Sequence, residues 1–165
     1  MNKTKEGETQ LVVFDLNEEE FACEIDNVRE VVKMLKVTPL PESIDFVEGV
    51  INMRGEVIPV IDLRKRFSMD DGERNDKNRI IIAEVEGQMF GLVVDSVSEV
   101  AHISNQQIQE APNHLASGRT GLIKGIGKID DRMLIILDIK HILSTDEITV
   151  LEGISQMDTE VAGAE

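Results

Sequence analysis

Tryptophan and tyrosine are absent from the 165 residues, and five phenylalanines make up the whole aromatic complement. Proteins that grip single-stranded nucleic acid stack bases on aromatic rings, so this scarcity weighs against that use. Basic charge is also short: 17 Lys and Arg stand against 32 Asp and Glu, a formal net charge of −15. Such a surface repels phosphate backbones and anionic lipid. A single cysteine, Cys23, excludes an internal disulfide and points to a reducing cytoplasm. In its setting, EFACEI, it reads as a small core thiol rather than a reactive one. Long apolar runs are missing too. The stretch 80–83 is too short to span a bilayer, and the opening MNKTKEGETQ lacks the apolar core of a signal peptide.

Catalytic and metal-binding patterns are equally absent. His102, His114 and His141 are far apart and none neighbours Cys23, so no metal-ligand spacing arises. The segment GLIKGIGKI (121–129) superficially resembles a phosphate loop. A Walker loop, however, requires Gly where Leu122 stands and Ser or Thr where Ile129 stands. The dinucleotide pattern fails at Asp130, which occupies its third glycine position. The adjacent pairs Asp70/Asp71 and Asp130/Asp131 fall in turns, where side-by-side carboxylates seldom converge on one substrate. No enzyme, cofactor or metal is indicated.

What the chain does have is β-branched aliphatics, 17 Val and 19 Ile, which favour strands around an aliphatic core. It also repeats itself. LVVFDLNEEEFACEIDNVREV (11–31) aligns without gaps on IIIAEVEGQMFGLVVDSVSEV (80–100) at an offset of 69, matching Phe21 to Phe90, Asp26 to Asp95 and Val28 to Val97. VEGVINMRGEVIPVIDLRKRF (47–67) then aligns on IKGIGKIDDRMLIILDIKHIL (123–143) at an offset of 76, matching Gly49 to Gly125 and Asp62 to Asp138. Two matches in the same order indicate a duplication.

Each half reads as two strands, a strand or helical turn ending in a loop, and two more strands joined at a tight corner. Pro39 and Pro41 mark an irregular connection, and SMDDGERNDKNR (68–79) reads as an exposed linker between the halves. Frequent short strands suggest two small barrels. The acid-rich segments 15–26 and 144–165 contain no basic residue. They read either as solvated surface and tail or as a landing surface for a basic partner.

The corner VEGVINMRGEVIPVIDLRKRF resembles the signature of the CheW family, chemotaxis coupling proteins that act as adaptors. FACEIDNVREVV followed by VTPLP, FGLVVDSVSEV, and GIGKIDDRMLIILDI resemble the same family. The likeness extends over about residues 9 to 145. It implies a mainly β fold of two intertwined five-stranded SH3/OB-like barrels with short helical turns and strands exchanged between the halves. On this basis residues 1–7 are expected to be a disordered tail, 8–150 a CheW-like domain with pseudo-repeats at about 11–67 and 80–143, and 151–165 an acidic tail.

The implied function is non-enzymatic scaffolding that couples chemoreceptors to the histidine kinase CheA. The implied partners are the kinase's regulatory domain and the cytoplasmic tips of methyl-accepting receptors, with a cytoplasmic protein recruited to receptor arrays and not inserted in the membrane. The alternative is an OB-type nucleic-acid-binding protein, which the acidic charge and scarce aromatics disfavour. The resemblance also places Ile25, Val28, Val31 and Val97 in a receptor-binding groove between the barrels. It pairs Glu30 with Arg54 across the first barrel, beside the turn residues Asn52 and Gly55. On a helical turn the spacing of Ile25, Val28 and Val31 would put all three near one face. The residues that meet the kinase are not identified by the sequence.

Overall fold

In the computed structural model of the chain, residues 7–40, 45–67, 69, 74–110 and 122–142 are described. The expectations for residues 1–6 and for the acidic tail 151–165 lie outside them, as do Asp70, Asp71 and His114. Among the described residues there are eleven strands: β1 (Glu8–Leu16), β2 (Glu19–Glu24), β3 (Val28–Lys33), β4 (Val47–Met53), β5 (Glu56–Asp62), β6 (Arg79–Val85), β7 (Gln88–Val94), β8 (Ser96–Ser104), β9 (Ile108–Glu110), β10 (Ile123–Ile129) and β11 (Arg132–Leu137). A short helix, α1 (Leu63–Arg66), follows β5, and 3₁₀ turns occupy Ile25–Asn27, Asn105–Gln107 and Ile139–His141.

Four two-residue corners fold these strands into hairpins. Asn17 and Glu18, Arg54 and Gly55, and Glu86 and Gly87 all have positive φ, as the mirror-image turns that match strand twist require. Asp130 opens the fourth corner at φ 54°. The sheets are built by exchange. Sheet A runs β8-β1-β2-β11-β10-β9 and sheet B runs β3-β6-β7-β5-β4. Parallel pairing of β2 with β11 sets Phe21 opposite Ile135, and parallel pairing of β5 with β7 sets Ile61 opposite Leu92. Each half therefore lends its first hairpin to the second hairpin of the other half.

The edge strands of sheet A, β8 and β9, are separated in sequence only by the turn Asn105–Gln107, so this sheet curls on itself. Counted as one bent strand, they give five strands per barrel. In sheet B the closing contact among the described residues is a single bridge between Thr38 and Val50. The residue after Thr38 is Pro39, which has no N–H to extend the ladder.

Three cores result. Leu11, Val13, Ala22, Ala101, Ile103, Leu134 and Ile136 fill barrel A. Ile51, Ile58, Val60, Ile80, Ile82 and Val93 fill barrel B. The largest core lies between the barrels and takes the alternate residues of the same strands, including Val12, Phe14, Leu16, Ile81 and Ala83. Runs such as LVVF and IIIA are continuous because both faces of their strands are buried. At about 1.5–3 kcal/mol per fully buried large aliphatic, this doubled burial is what holds the two barrels together. All five phenylalanines belong to or pack on the shared core, with Phe14, Phe21 and Phe67 stacked at centroid distances of 6.2 and 6.0 Å.

The linker is more engaged than its composition suggests. Arg74 to Lys77 are exposed, but Asn78 is buried and donates to the Asp95 carbonyl at 3.0 Å. Arg74 reaches back to Glu48 at 2.6 Å and to Asp62 at 3.2 Å, the residue whose side chain caps α1.

Candidate functional site

Ile25 lies in the 3₁₀ turn, while Val28 and Val31 lie on strand β3 rather than on a helical turn. Residues three apart on a regular strand face opposite sides. A β-bulge at Arg29 reverses that: Val28 pairs with Ala83, Glu30 with Ile82 and Val31 with Ile81. Ala83 and Ile81 both belong to the shared core, so Val28 and Val31 stand on the same, inter-barrel side. The other half repeats the device. The register of β8 on β1 slips so that Val97 pairs with Phe14 and Val100 with Val12, both shared-core residues, leaving Ser98 unpaired.

Ile25, Val28 and Val97 are partly buried against the rim of this core. Val31 and Val100 remain 39% and 48% exposed, although each carries a branched aliphatic side chain. Leu35 and Met133 are the other large apolar side chains left exposed among the described residues, but only Val31 and Val100 occupy matched positions of the two halves and face the shared core's side of their strands. The duplication matched Val100 to Val31 in the sequence, yet the expected groove omitted it.

The corner forms a second feature, on the opposite face of β3. Glu30 pairs with Ile82, which belongs to the barrel B core, and so points toward that barrel's mouth. Arg54 Nη1 lies 3.0 Å from Glu30 Oε1 and donates to Oε2 at 3.2 Å. Because β3 and β4 are the two edges of sheet B, this ion pair spans the gap between them. The turn is held from within by the Gly55 N–H donating to Asn52 Oδ1 at 3.1 Å. Arg54 adopts φ 53°, but Asn17, Glu86 and Asp130 do the same at equivalent corners, so the conformation reflects the turn type.

Around the pair lies a concavity of about 320 Å³ floored by Met53, Ile82 and Met89. Arg29, the bulged residue, binds Glu84 on its rim at 2.7 Å. Neither methionine nor Arg29 stood out in the sequence. Barrel A has a counterpart: Arg132 contacts Glu20 at 3.0 Å and Glu99, the residue matching Glu30, at 3.3 Å. These barrel A pairs link β11 to the adjacent β2 and to the edge strand β8, whereas Glu30–Arg54 bridges the two edges of sheet B.

Groups capable of reaction are sparse. Among the described residues, no three His, Cys, Asp or Glu side chains are placed to hold a metal ion. Burial pushes the Cys23 thiol up to about 12, with the neighbouring Glu24 adding to the effect, so the sulfur stays protonated and inert. Among the described residues, no helix is long and apolar enough to cross a membrane.

A family model for the CheW-like domain matches residues 10–147. The chain belongs to the CheW family. Chemotaxis protein CheW of Klebsiella aerogenes is 35% identical over 154 residues, covering 91% of this chain and 92% of that protein. Chemotaxis protein CheW of Thermotoga maritima is 37% identical over 147 residues, covering 89% and 94%. The crystal structure of the scaffolding protein TtCheW from Thermoanaerobacter tengcongensis superposes with a TM-score of 0.75 at 40% identity, covering 84% of this chain and 94% of that one. The CheW fold accounts for both the exchanged hairpins and the paired barrels.

Proposed function

We propose that the protein is a non-enzymatic adaptor that couples chemoreceptors to the histidine kinase CheA, working in the cytoplasm at receptor arrays. The observation that carries this reading is the CheW-like match over residues 10–147, which takes in nearly all the described structure. Its receptor contact is the inter-barrel surface bearing Ile25, Val28, Val31 and Val97, extended by Val100. The physics fits: the receptor tip is a helical hairpin, and an amphipathic helix binds by laying its apolar stripe on an apolar surface. Glu30 and Arg54 act indirectly by closing barrel B and fixing the edge strand whose other face carries Val28 and Val31. No phosphoryl chemistry is assigned to the protein, which works by holding its partners in position.

The reading is tested by co-sedimentation with receptor-containing membranes and by pull-down with the kinase's regulatory domain, using single-stranded DNA as the competing ligand. Binding to receptor and kinase but not DNA is expected. Retention on DNA with no receptor or kinase binding would replace this reading with a nucleic-acid-binding barrel.

A further inference from the structure

The chain crosses between barrels at two equivalent joints, and among the described residues the aspartate of only one of them is clamped by an ion pair. At Asp95, between β7 of sheet B and β8 of sheet A, the carboxylate receives Arg64 Nε at 2.8 Å on Oδ1 and Arg64 Nη2 at 2.5 Å on Oδ2. Arg64 belongs to α1, which follows β5 of sheet B. The same Oδ2 accepts the backbone N–H of Asn17 at 2.7 Å, from the β1–β2 corner of sheet A. The Asp95 N–H donates to the Asp15 carbonyl at 3.0 Å, and Asn78 holds the Asp95 carbonyl. One carboxylate therefore ties a helix of barrel B to a hairpin of barrel A. The side chains of Arg64 and Asp95 are only 19% and 25% exposed, so salt screens them weakly and the two-point geometry fixes direction as well as distance.

The other joint, between β2 and β3, is built from the matched residues Asp26 and Lys140. Both are exposed, and among the described residues neither side chain forms an ion pair. Lys140 engages only through its backbone N–H, which the Asp138 side chain caps at 3.1 Å. Beside it lies a cavity of about 80 Å³ lined by residues including Asn27, Leu137, Ile139 and Lys140. A forked guanidinium has been matched with a single-point ammonium, and the clamp is lost on that side.

We propose that Arg64 and Asp95 are positioning residues that fix the angle between the two barrels and so set the spacing of the surface carrying Val28, Val31, Val97 and Val100. The functional half of this proposal rests on the adaptor reading; the geometric half does not. At the Asp26 side the turn carrying Lys140 is held by the shared core and by Arg66 Nε of α1, which donates to the Ile142 carbonyl at 2.7 Å, but among the described residues no side-chain pair fixes the joint itself. The barrels adjust their angle, within the compliance of the shared core, about the clamped joint. Receptor docking across the inter-barrel surface then selects one angle.

The test uses paired spin labels on cysteines introduced at Glu56 in barrel B and Lys128 in barrel A, both exposed positions. Native Cys23, fully buried, stays unlabelled. Pulsed electron-electron distance measurements on the protein alone should give a narrow distribution. Arg64→Met should broaden or shift it, and Arg64→Lys should give an intermediate result because a single-point cation replaces the fork. Asp26→Ala should leave it unchanged.

If Arg64→Met fails to fold, Arg64→Lys and Asp95→Asn decide the matter, with broadening expected in both. Distributions identical to wild type in all folded variants, even with a lowered melting temperature, would overturn the proposal and leave the pair a local stabiliser. Affinity for receptor hairpins should fall about tenfold in the variants that broaden. Broadening with unchanged receptor affinity would overturn the functional half alone. Failure of the wild-type protein to bind receptor would instead overturn the adaptor reading, with the distance measurements still deciding the clamp.

Discussion

Removing the Glu30–Arg54 pair separates what the corner does for stability from what it does for coupling. Two unit charges 3.0 Å apart in water attract by about 1.4 kcal/mol before any cost is counted. Arg54 is 72% exposed and Glu30 30% exposed, so entropy and screening reduce the net coupling to about 0.2–1 kcal/mol. For a chain of this size, that shifts the melting temperature by about 0.4–4 °C. The two truncations should not be equivalent. Glu30 Oε1 is sealed from water, is outside hydrogen-bonding geometry, and has Arg54 as its compensating charge.

Arg54→Ala therefore strands a shielded carboxylate oxygen and should cost about 1–2 kcal/mol, whereas Glu30→Ala leaves a solvated arginine and should cost less. A double-mutant cycle by urea denaturation measures the coupling, and repeating it in 1 M salt should largely abolish it. On the same proteins, receptor-hairpin binding should fall by about tenfold for either single variant, although a stability loss of about 1–2 kcal/mol leaves the protein folded. A coupling above about 2 kcal/mol would refute the exposed-pair reasoning. Unchanged receptor binding in both variants would refute the role given to the corner.

Other consequences can be checked on the isolated protein. Gly49→Ala places a Cβ 2.2 Å from the Thr38 carbonyl oxygen at φ 153°, beside the Thr38–Val50 bridge of sheet B; it should destabilise by about 2–4 kcal/mol in urea titration. Cys23 should resist alkylation at pH 8 until the protein unfolds. Its thiol is raised from 9.0 to about 12 on folding, so the unfolded chain loses this proton first. The thiol's contribution to stability is complete below pH 9 and falls by roughly 1.4 kcal/mol per unit as pH rises toward 12. Cys23→Ala should flatten that part of a pH-stability profile, and an unchanged slope would assign it to other groups.

Strand content and duplication were legible because they are local: alternating or continuous apolar runs, polar corners, and matched residues at fixed offsets. The exchange of hairpins came only with the family resemblance, because it depends on the parallel pairings of β2 with β11 and β5 with β7, which join segments remote in sequence and leave no period behind. Residues 25–31 show how spacing can mislead. Apolar residues at intervals of three suggested a helical face, whereas a bulge at Arg29 brings Val28 and Val31 to one side of a strand. The linker misled differently: its polar composition hid the buried Asn78 and the returning Arg74, since a polar side chain with satisfied hydrogen bonds can be structural. The Arg64–Asp95 joint was invisible for the same reason as the exchange, its partners being brought together only by the β5–β7 pairing.

The central claim is that an apolar inter-barrel surface, rather than any reactive group, carries the protein's function. Val28 packs against the shared core, so a charge there would confuse unfolding with loss of binding. Val31 is on the same side and 39% exposed, which makes Val31→Glu the cleaner probe. The decisive measurement is the affinity of Val31→Glu for a receptor hairpin fragment, alongside its melting temperature and its affinity for the kinase regulatory domain. The account predicts melting and kinase binding close to wild type, with receptor affinity reduced at least about tenfold, a loss of about 1.4 kcal/mol. A folded Val31→Glu protein that binds the receptor fragment as tightly as wild type would contradict it.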